Sequence, residues 1–322
     1  MVFTADSSGK NEEQFLCNPK QGKNKVIVVA GPTASGKSGL ALDLAERLDG
    51  RIINADSMQV YRDVPTLTAR PPAADEKKAD HRLYGFLEPE ENCSVFKWAR
   101  LAAREIKEAW ANGQVPVVVG GTGFYLQTLI KGISPVPPAD EKIRREIRRE
   151  FEELGRERFL ADFQKKDPSF VFTDPQRVLR AAEVLAQTGK SVTYWQSLPF
   201  KKEIDADFLC FLTELPRDEL YRRCDERFGQ MMRGSAVEEV RVLLAKNPPA
   251  DSLVLKAIGV LEIKAFLNGE MTRDQAVDHA CRMTRNYAKR QVTWFKHRFA
   301  ADYVAGGIKS PDILTKALHF LE

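Results

Sequence analysis

The residues Gly31, Pro32, Thr33, Ala34, Ser35, Gly36, Lys37 and Ser38 follow the spacing G-x-x-x-x-G-K-[ST]. That spacing suits the enclosure of a phosphate chain, most often that of ATP or GTP. Its glycines let the backbone curl until successive N–H groups converge on phosphate oxygens. Lys37 adds a mobile positive charge, and the Ser38 hydroxyl is placed to ligate Mg2+. An apolar strand, "KVIVVA", precedes the segment and an amphipathic helix, "SGLALDLAERLDG", follows it. The N-terminal end of such a helix favours anions. A chance glycine-rich turn would not have both neighbours in register.

Two further groups fall at strand ends. Asp56, in "INADSMQVYRD", should emerge where its strand stops. A carboxylate there could coordinate a metal through water, take a proton from a nucleophile, or cap a turn. Gly120, Gly121 and Gly123 bracket Thr122 after "VPVVV". The pattern suits either close approach of a ligand to backbone, with the hydroxyl of Thr122 exposed, or an ordinary strand-to-helix turn. Three rim loops of this chemistry together exceed coincidence.

The elements that must position these residues are legible as alternation. "KVIVVA" (25–30), "RIINA" (51–55) and "VPVVV" (115–119) read as buried parallel strands. Leu40, Leu44 and Leu48 share one face of a helix that stops at Gly50, and "VFKWARLAAREIKEAWANG" is a second helix stopped at Gly113. This predicts an α/β fold with a P-loop-type, doubly wound parallel sheet as its core, binding ligands at the carboxyl ends of the strands. A Pro-rich hinge then leads into a charged helix with the apolar stripe Ile143, Ile147, Phe151 and Leu154, and 139–200 reads as a helical insertion domain. "DFLCFLTE" (207–214) reads as a returning strand and the remainder as helix, so 25–138 and 201–322 form the core domain with its C-terminal helices. Residues 1–24 lack an apolar signal core and read as a disordered leader.

Composition narrows the class. The chain has 322 residues, 43% hydrophobic and 29% charged, the balance of a soluble globular enzyme. Cys17, Cys93, Cys210, Cys224 and Cys281 are scattered without a C-x-x-C pair, which argues against a zinc site or disulfide framework and suits a reducing cytoplasm. No apolar run approaches the ~20 residues of a membrane span. A net charge of +4 is too small to imply a nucleic-acid partner, so any basic site must be local. One such site is present. From Cys281 to Phe299 there are Arg282, Arg285, Lys289, Arg290, Lys296 and Arg298 and no carboxylate. At helical spacing Arg282, Arg285, Lys289 and Lys296 share a face suited to a phosphate backbone, while Met283, Tyr287 and Trp294 share another. A GTPase is disfavoured because no N-K-x-D guanine-reading motif occurs; a nucleotide or metabolite kinase remains compatible with the opening strand, loop and helix.

Five ordered blocks, "GPTASGKS", "INADSMQVYR", "VPVVVGGTGFYLQTLIKG", "DPQRVLRAAEVLAQTGKS" and "TRNYAKRQVTWFKH", resemble the tRNA dimethylallyltransferases, also called tRNA isopentenyltransferases. The resemblance implies transfer of a dimethylallyl group from dimethylallyl diphosphate to N6 of the adenosine 3′ to the anticodon, with release of pyrophosphate. It implies that Gly31 to Ser38 hold the diphosphate with Mg2+ on Ser38, that Asp56 is the general base, and that Thr122 touches substrate. Arg227 matches a family arginine on the diphosphate, with Arg223 one turn earlier as a rival. Contacts to the tRNA anticodon stem-loop are implied for Asp56, Ser57, Met58 and Gln59, for Thr122 and Arg144, and for Gln176, Arg177, Val178, Leu179 and Arg180. The basic helix would add Arg285 and Lys289. The target adenine must be flipped out to be reached.

Two segments depart from the family pattern. "LTARP" (67–71) replaces a Gly-Thr-Ala-Lys-Pro-like segment, and Val260 and Leu261 follow Gly259 where aromatic and basic residues often sit. Lys256 and Gly259 are therefore weaker assignments. Some eukaryotic relatives append a zinc finger after the position where this chain ends, which points to the bacterial type. A cytoplasmic monomer with no obligate protein partner is expected.

Overall fold

The computed structural model describes residues 24–306 and 312–322. The leader expected over 1–24 lies, apart from Asn24, outside them. In chain order the elements begin with β1 (Lys25–Ala30), α1 (Lys37–Leu48), β2 (Gly50–Asn54), the single turn α2 (Ala73–Glu76) and β3 (Asp80–Arg82). There follow α3 (Val95–Ala111), β4 (Val115–Gly120), α4 (Gly123–Lys131), α5 (Glu141–Leu154), α6 (Arg156–Lys166), α7 (Pro175–Thr188) and α8 (Val192–Ser197). After β5 (Asp207–Thr213) come α9 (Arg217–Arg233), α10 (Ala236–Ala245), α11 (Val260–Leu267), α12 (Arg273–Arg298), β6 (Tyr303–Ala305) and α13 (Asp312–Leu321).

The described strands form one parallel sheet in the order β3-β2-β4-β1-β5-β6. β1 lies at its centre because Val26 to Ala30 have no polar side chain and can be covered on both faces; each is fully buried. Leu40, Leu44 and Leu48 of α1 pack on Ile27, Ile52 and Val117, as the spacing of the leucines predicts, and Ile313, Ala317 and Leu321 of α13 join the same core. Burial of each of these leucines contributes about 1.5–3 kcal/mol. Ser94 caps α3 by accepting from the Lys97 N–H. That helix buries Trp98, whose indole donates to the Asn54 carbonyl at 2.8 Å and ties α3 to the end of β2.

Register fixes the working rim. Ala30 pairs with Gly120 and with Leu212, and Asn54 pairs with Val119. The segments after β1, β2 and β4 therefore leave the sheet at one edge. A second core behind that edge gathers Phe228, Met231 and Met232 of α9 with residues of α10, α11 and α12. β3 and β6 were not evident in the sequence. Each has only three residues and no apolar alternation.

Residues 130–203 form a separate compact unit. Its helices α5 to α8 enclose Phe159, Phe163, Phe170, Val178, Ala181 and Ala182, and Ile147, Phe151 and Leu154 of the expected apolar stripe pack against them. Asp140, Asp174 and Ser191 cap α5, α7 and α8 through side-chain oxygens. The two ends of the unit are tied by paired backbone bonds between Ile133 and Lys201 at 3.1 and 2.9 Å.

The rim tolerates no added atom at Gly120. A Cβ there would lie 2.1 Å from the Ala55 carbonyl oxygen, a backbone atom held by its own bond from the Thr122 N–H. Gly120→Ala is expected to lower the urea unfolding midpoint by an amount equal to about 2–3 kcal/mol, as overpacking against backbone does. An unchanged midpoint would show that the rim yields.

Candidate active site

The loop between β1 and α1 is fixed from three elements. From β5, the Thr213 hydroxyl lies 2.6 Å from the Ser35 hydroxyl and donates to the Ala30 carbonyl at 3.2 Å. From α12, Gln291 accepts from the Thr33 N–H at 2.8 Å and donates to the Gly121 carbonyl at 2.8 Å. From α9, the Arg227 guanidinium donates to the Thr33 hydroxyl. Ser35 is 1% exposed and its hydroxyl also donates to the Pro32 carbonyl. This side chain, within the run expected to hold the diphosphate, braces the loop from inside.

Lys37 opens α1, where first-turn N–H groups have no acceptor within the helix. Its ammonium donates to the Pro32 carbonyl at 3.1 Å. Burial pulls its pKa down to about 8, with the charge of Asp56 acting upward and that of Arg227 downward. Burial likewise lowers the Arg227 guanidinium, opposed by Cys224 and Asp56. Two desolvated cations facing one carboxylate leave the pocket in need of an anion.

The second rim segment is built around Asn54. Its amide donates to the carbonyls of Asp56 and Leu83, both at 3.0 Å, and its side-chain oxygen accepts from the Asp56 N–H at 2.9 Å. One carboxylate oxygen of Asp56 accepts from the Met58 N–H at 2.9 Å, so Asp56 also caps a turn. Thr122 joins this segment to the third. Its hydroxyl accepts from the Ser57 N–H at 2.9 Å and lies 3.3 Å from the Ser57 hydroxyl. Burial first and then the Asp56 charge push the Tyr287 phenol well above its ordinary value. Gln59 donates to the carbonyls of Thr68 and Ala69 at 2.9 and 3.0 Å. The N–H groups of Gln59, a residue expected to contact tRNA, thus hold the neighbouring loop.

Two cavities open on this rim. One, of about 380 Å³, is lined by Ala34, Gly36, Lys37, Ser38, Arg223 and Arg227. The other, of about 320 Å³, has Asp56, Thr33 and Tyr287 among polar walls and Met58, Phe228 and Met231 among apolar ones. Arg227 borders both. Arg223 reaches only the first and is paired with Glu219 at 2.7 Å. No cluster of three or more metal-ligating side chains occurs among the described residues. The exposed Ser38 in the wall of the first cavity is a single oxygen donor. That donor set fits a Mg2+ ion bound chiefly by phosphate oxygens and water.

The remaining residues expected at the site fall in three settings. Arg144 and Arg180 converge on Glu183 at 3.8 and 3.3 Å. Gln176 and Arg177 are exposed, with the Arg177 guanidinium over the Phe172 ring. Val178 is 2% exposed and sits with Leu179 in the helical core, so the RNA contact expected of the Val178 side chain is corrected to a packing role. On α12, Lys289 is exposed, whereas Arg285 grips both oxygens of Asp225 at 2.7 Å and is less free for a polyanion than the helical pattern implied. Sequence reasoning missed Asn54, Thr213 and Gln291. Their partners are distant along the chain or lie in backbone, and no local spacing marks them.

A parallel sheet with a phosphate-cradling loop at the carboxyl end of its central strand defines a P-loop-type α/β protein, and a carboxylate beside the cradle marks it as an enzyme of group transfer. Residues 59–298 match the IPP transferase family and residues 24–88 the isopentenyl transferase family. The chain belongs to the IPP transferase family. It is 43% identical over 283 residues to a tRNA dimethylallyltransferase of Paramagnetospirillum magneticum, covering 87% of this chain and 90% of that one. It is 45% identical over 281 residues to one of Rhodospirillum centenum, with 86% and 90% covered. Among solved structures, the full-length tRNA isopentenylpyrophosphate transferase of Bacillus halodurans superposes with a TM-score of 0.66 at 30% identity over 92% of this chain and 95% of that one. A eukaryotic dimethylallyltransferase acting on tRNA gives 0.75 at 26% identity, over 92% and 77%.

The lowered pKa of Lys37 has a measurable sign. Above pH 8 the free protein loses this charge, so pyrophosphate affinity measured by calorimetry should fall with rising pH by up to about tenfold per unit. Lys37→Arg, which keeps its charge, should show only the titration of pyrophosphate itself. Equal slopes in both proteins would place the Lys37 pKa elsewhere.

Proposed function

We propose that this chain transfers a dimethylallyl group from dimethylallyl diphosphate to N6 of the adenosine 3′ to the anticodon of tRNA. The observation that carries the proposal is the pair of cavities bordered by Arg227, one cationic and one holding Asp56 between polar and apolar walls. The family relatives are named for this transfer, and none of those reported above favours the kinase alternative.

The diphosphate would lie against the loop amides, Lys37 and Arg227. The amine lone pair of N6 forms the bond to the allylic carbon while the carbon–oxygen bond breaks and its electron pair leaves on pyrophosphate. Asp56 takes the proton that N6 loses. Lys37, Arg227 and the amides neutralise charge as it develops on the leaving oxygens. Ser38 would hold Mg2+, which when bound supplies further charge neutralisation to the diphosphate. Thr122 sets the position of Asp56 through Ser57 and touches the incoming base.

The adenine must leave its stack to reach Asp56, which a single-stranded loop allows. Exposed Lys289 and Arg282 on α12 and Gln176 and Arg177 on α7 suit contacts with the RNA backbone. No helix among the described residues is long and apolar enough to cross a membrane. Action on tRNA accords with a cytoplasmic place, and the reading requires only a monomer.

Asp56→Asn should slow single-turnover transfer to tRNA by about 10²–10⁴-fold, the usual worth of a general base. Pyrophosphate affinity should hold or rise, because a negative charge beside Lys37 is removed. Label from ATP in place of the isoprenoid donor should not reach tRNA. Full transfer by the variant would remove Asp56 from the chemistry, and transfer from ATP would restore the kinase reading.

A further inference from the structure

Helix α9 carries two adjoining strips. Arg223, Arg227 and Gln230 line the cavity over Lys37, whereas Cys224, Arg227, Phe228 and Met231 line the cavity beside Asp56. The second set follows i, i+4 and i+7 spacing, which places Cys224, Phe228 and Met231 on one face. An allylic diphosphate has the same division, a polyanionic head joined to a hydrocarbon tail. With its head on Arg227, its tail meets that apolar face.

We infer that Phe228 and Met231 form the wall that limits the donor tail to five carbons, an inference that rests on the transfer proposed above. The space supports it. The cavity measures about 320 Å³, and a cavity of about 150 Å³ holds one benzene-sized body. During transfer it must admit an adenine ring as well as the tail, which favours a short chain over a long one.

The wall is also stiff. Phe228 is 4% and Met231 9% exposed, each packed into the second core. Gly259, at φ 101°, presses its backbone on that core from behind, since a Cβ there would stand 2.9 Å from the Phe228 ring and 2.8 Å from Leu67. Phe228 cannot retreat toward α11. Met231, unbranched and one turn further along α9, is the member whose truncation opens space without moving backbone. The packing also gives Gly259 a structural reason that the sequence did not disclose.

The test compares kcat/KM for dimethylallyl and geranyl diphosphates at saturating tRNA. Wild type is expected to prefer the five-carbon donor by at least about 100-fold, since a single surplus methylene already costs 10–200-fold in a closed apolar pocket. Met231→Ala should raise the geranyl-to-dimethylallyl ratio at least about tenfold, and Phe228→Leu should move it in the same direction. Pyrophosphate binding by calorimetry reports whether each variant is folded; if Met231→Ala fails that check, Phe228→Leu carries the comparison. Unchanged ratios in folded variants, or equal use of both donors by wild type, overturn the inference and leave the transfer intact. A wild type that prenylates tRNA with neither donor overturns the transfer reading instead.

Discussion

Two half-buried cations, Lys37 at the start of α1 and Arg227 on α9, set the terms for everything else at this site. Lys37 and Arg227 are both depressed by burial, and the carboxylate that acts on both is that of Asp56. At the effective dielectric of a partly buried site, a charge pair 4 Å apart interacts by about 4 kcal/mol. One carboxylate therefore cannot balance two desolvated cations. Apart from Arg227 itself, the groups that brace the loop, Thr213, Ser35 and Gln291, are neutral, and Arg227 is bonded there to a neutral hydroxyl. They fix geometry without consuming positive charge, so the pocket keeps its preference for a polyanion.

Rigidity comes from bonds between segments far apart in sequence. Gln291 links the Thr33 amide to the Gly121 carbonyl, and its first bond spans 258 positions. Thr122 links Ala55 and Ser57 to the same third segment. Cradle, carboxylate and Thr122 are thereby one connected set of hydrogen bonds on the rim of one sheet. Donors held in this way need no reorganisation when charge develops on a leaving group, which is where electrostatic catalysis gains most.

What the sequence disclosed was local, and what it concealed was pairing at a distance. Strands β1, β2 and β4, the loop and α1 carry their own periodicity, so their positions could be read directly. β3 and β6 could not, being only three residues each, without apolar alternation, at the sheet margins. Resemblance and charge pattern located Arg144 and Arg285 as cations but could not see Glu183 and Asp225, which engage them from other helices, and Glu183 also pairs with Arg180 one turn earlier on its own helix. Val178 shows the same limit from the apolar side: a segment can be placed at a surface while alternate members of its helix face inward. Within the run whose resemblance implies diphosphate contact, nothing local shows that the Ser35 hydroxyl lies against a hydroxyl from β5, 178 positions away.

The Asp56 charge, which acts on both cations, has a further consequence for the proposed transfer. As N6 gives up its proton, Asp56 becomes neutral at the moment pyrophosphate gains the electron pair of the broken bond. Negative charge thus disappears from one side of Lys37 and Arg227 while it grows on the other. The charge facing the buried cations stays nearly constant along the reaction, and their desolvation is never left uncompensated. A base whose charge did not reach the cradle would take the same proton but would not release the cations to the leaving group, so the charge that Asp56 exerts on Lys37 and Arg227 couples the two halves of the proposed reaction.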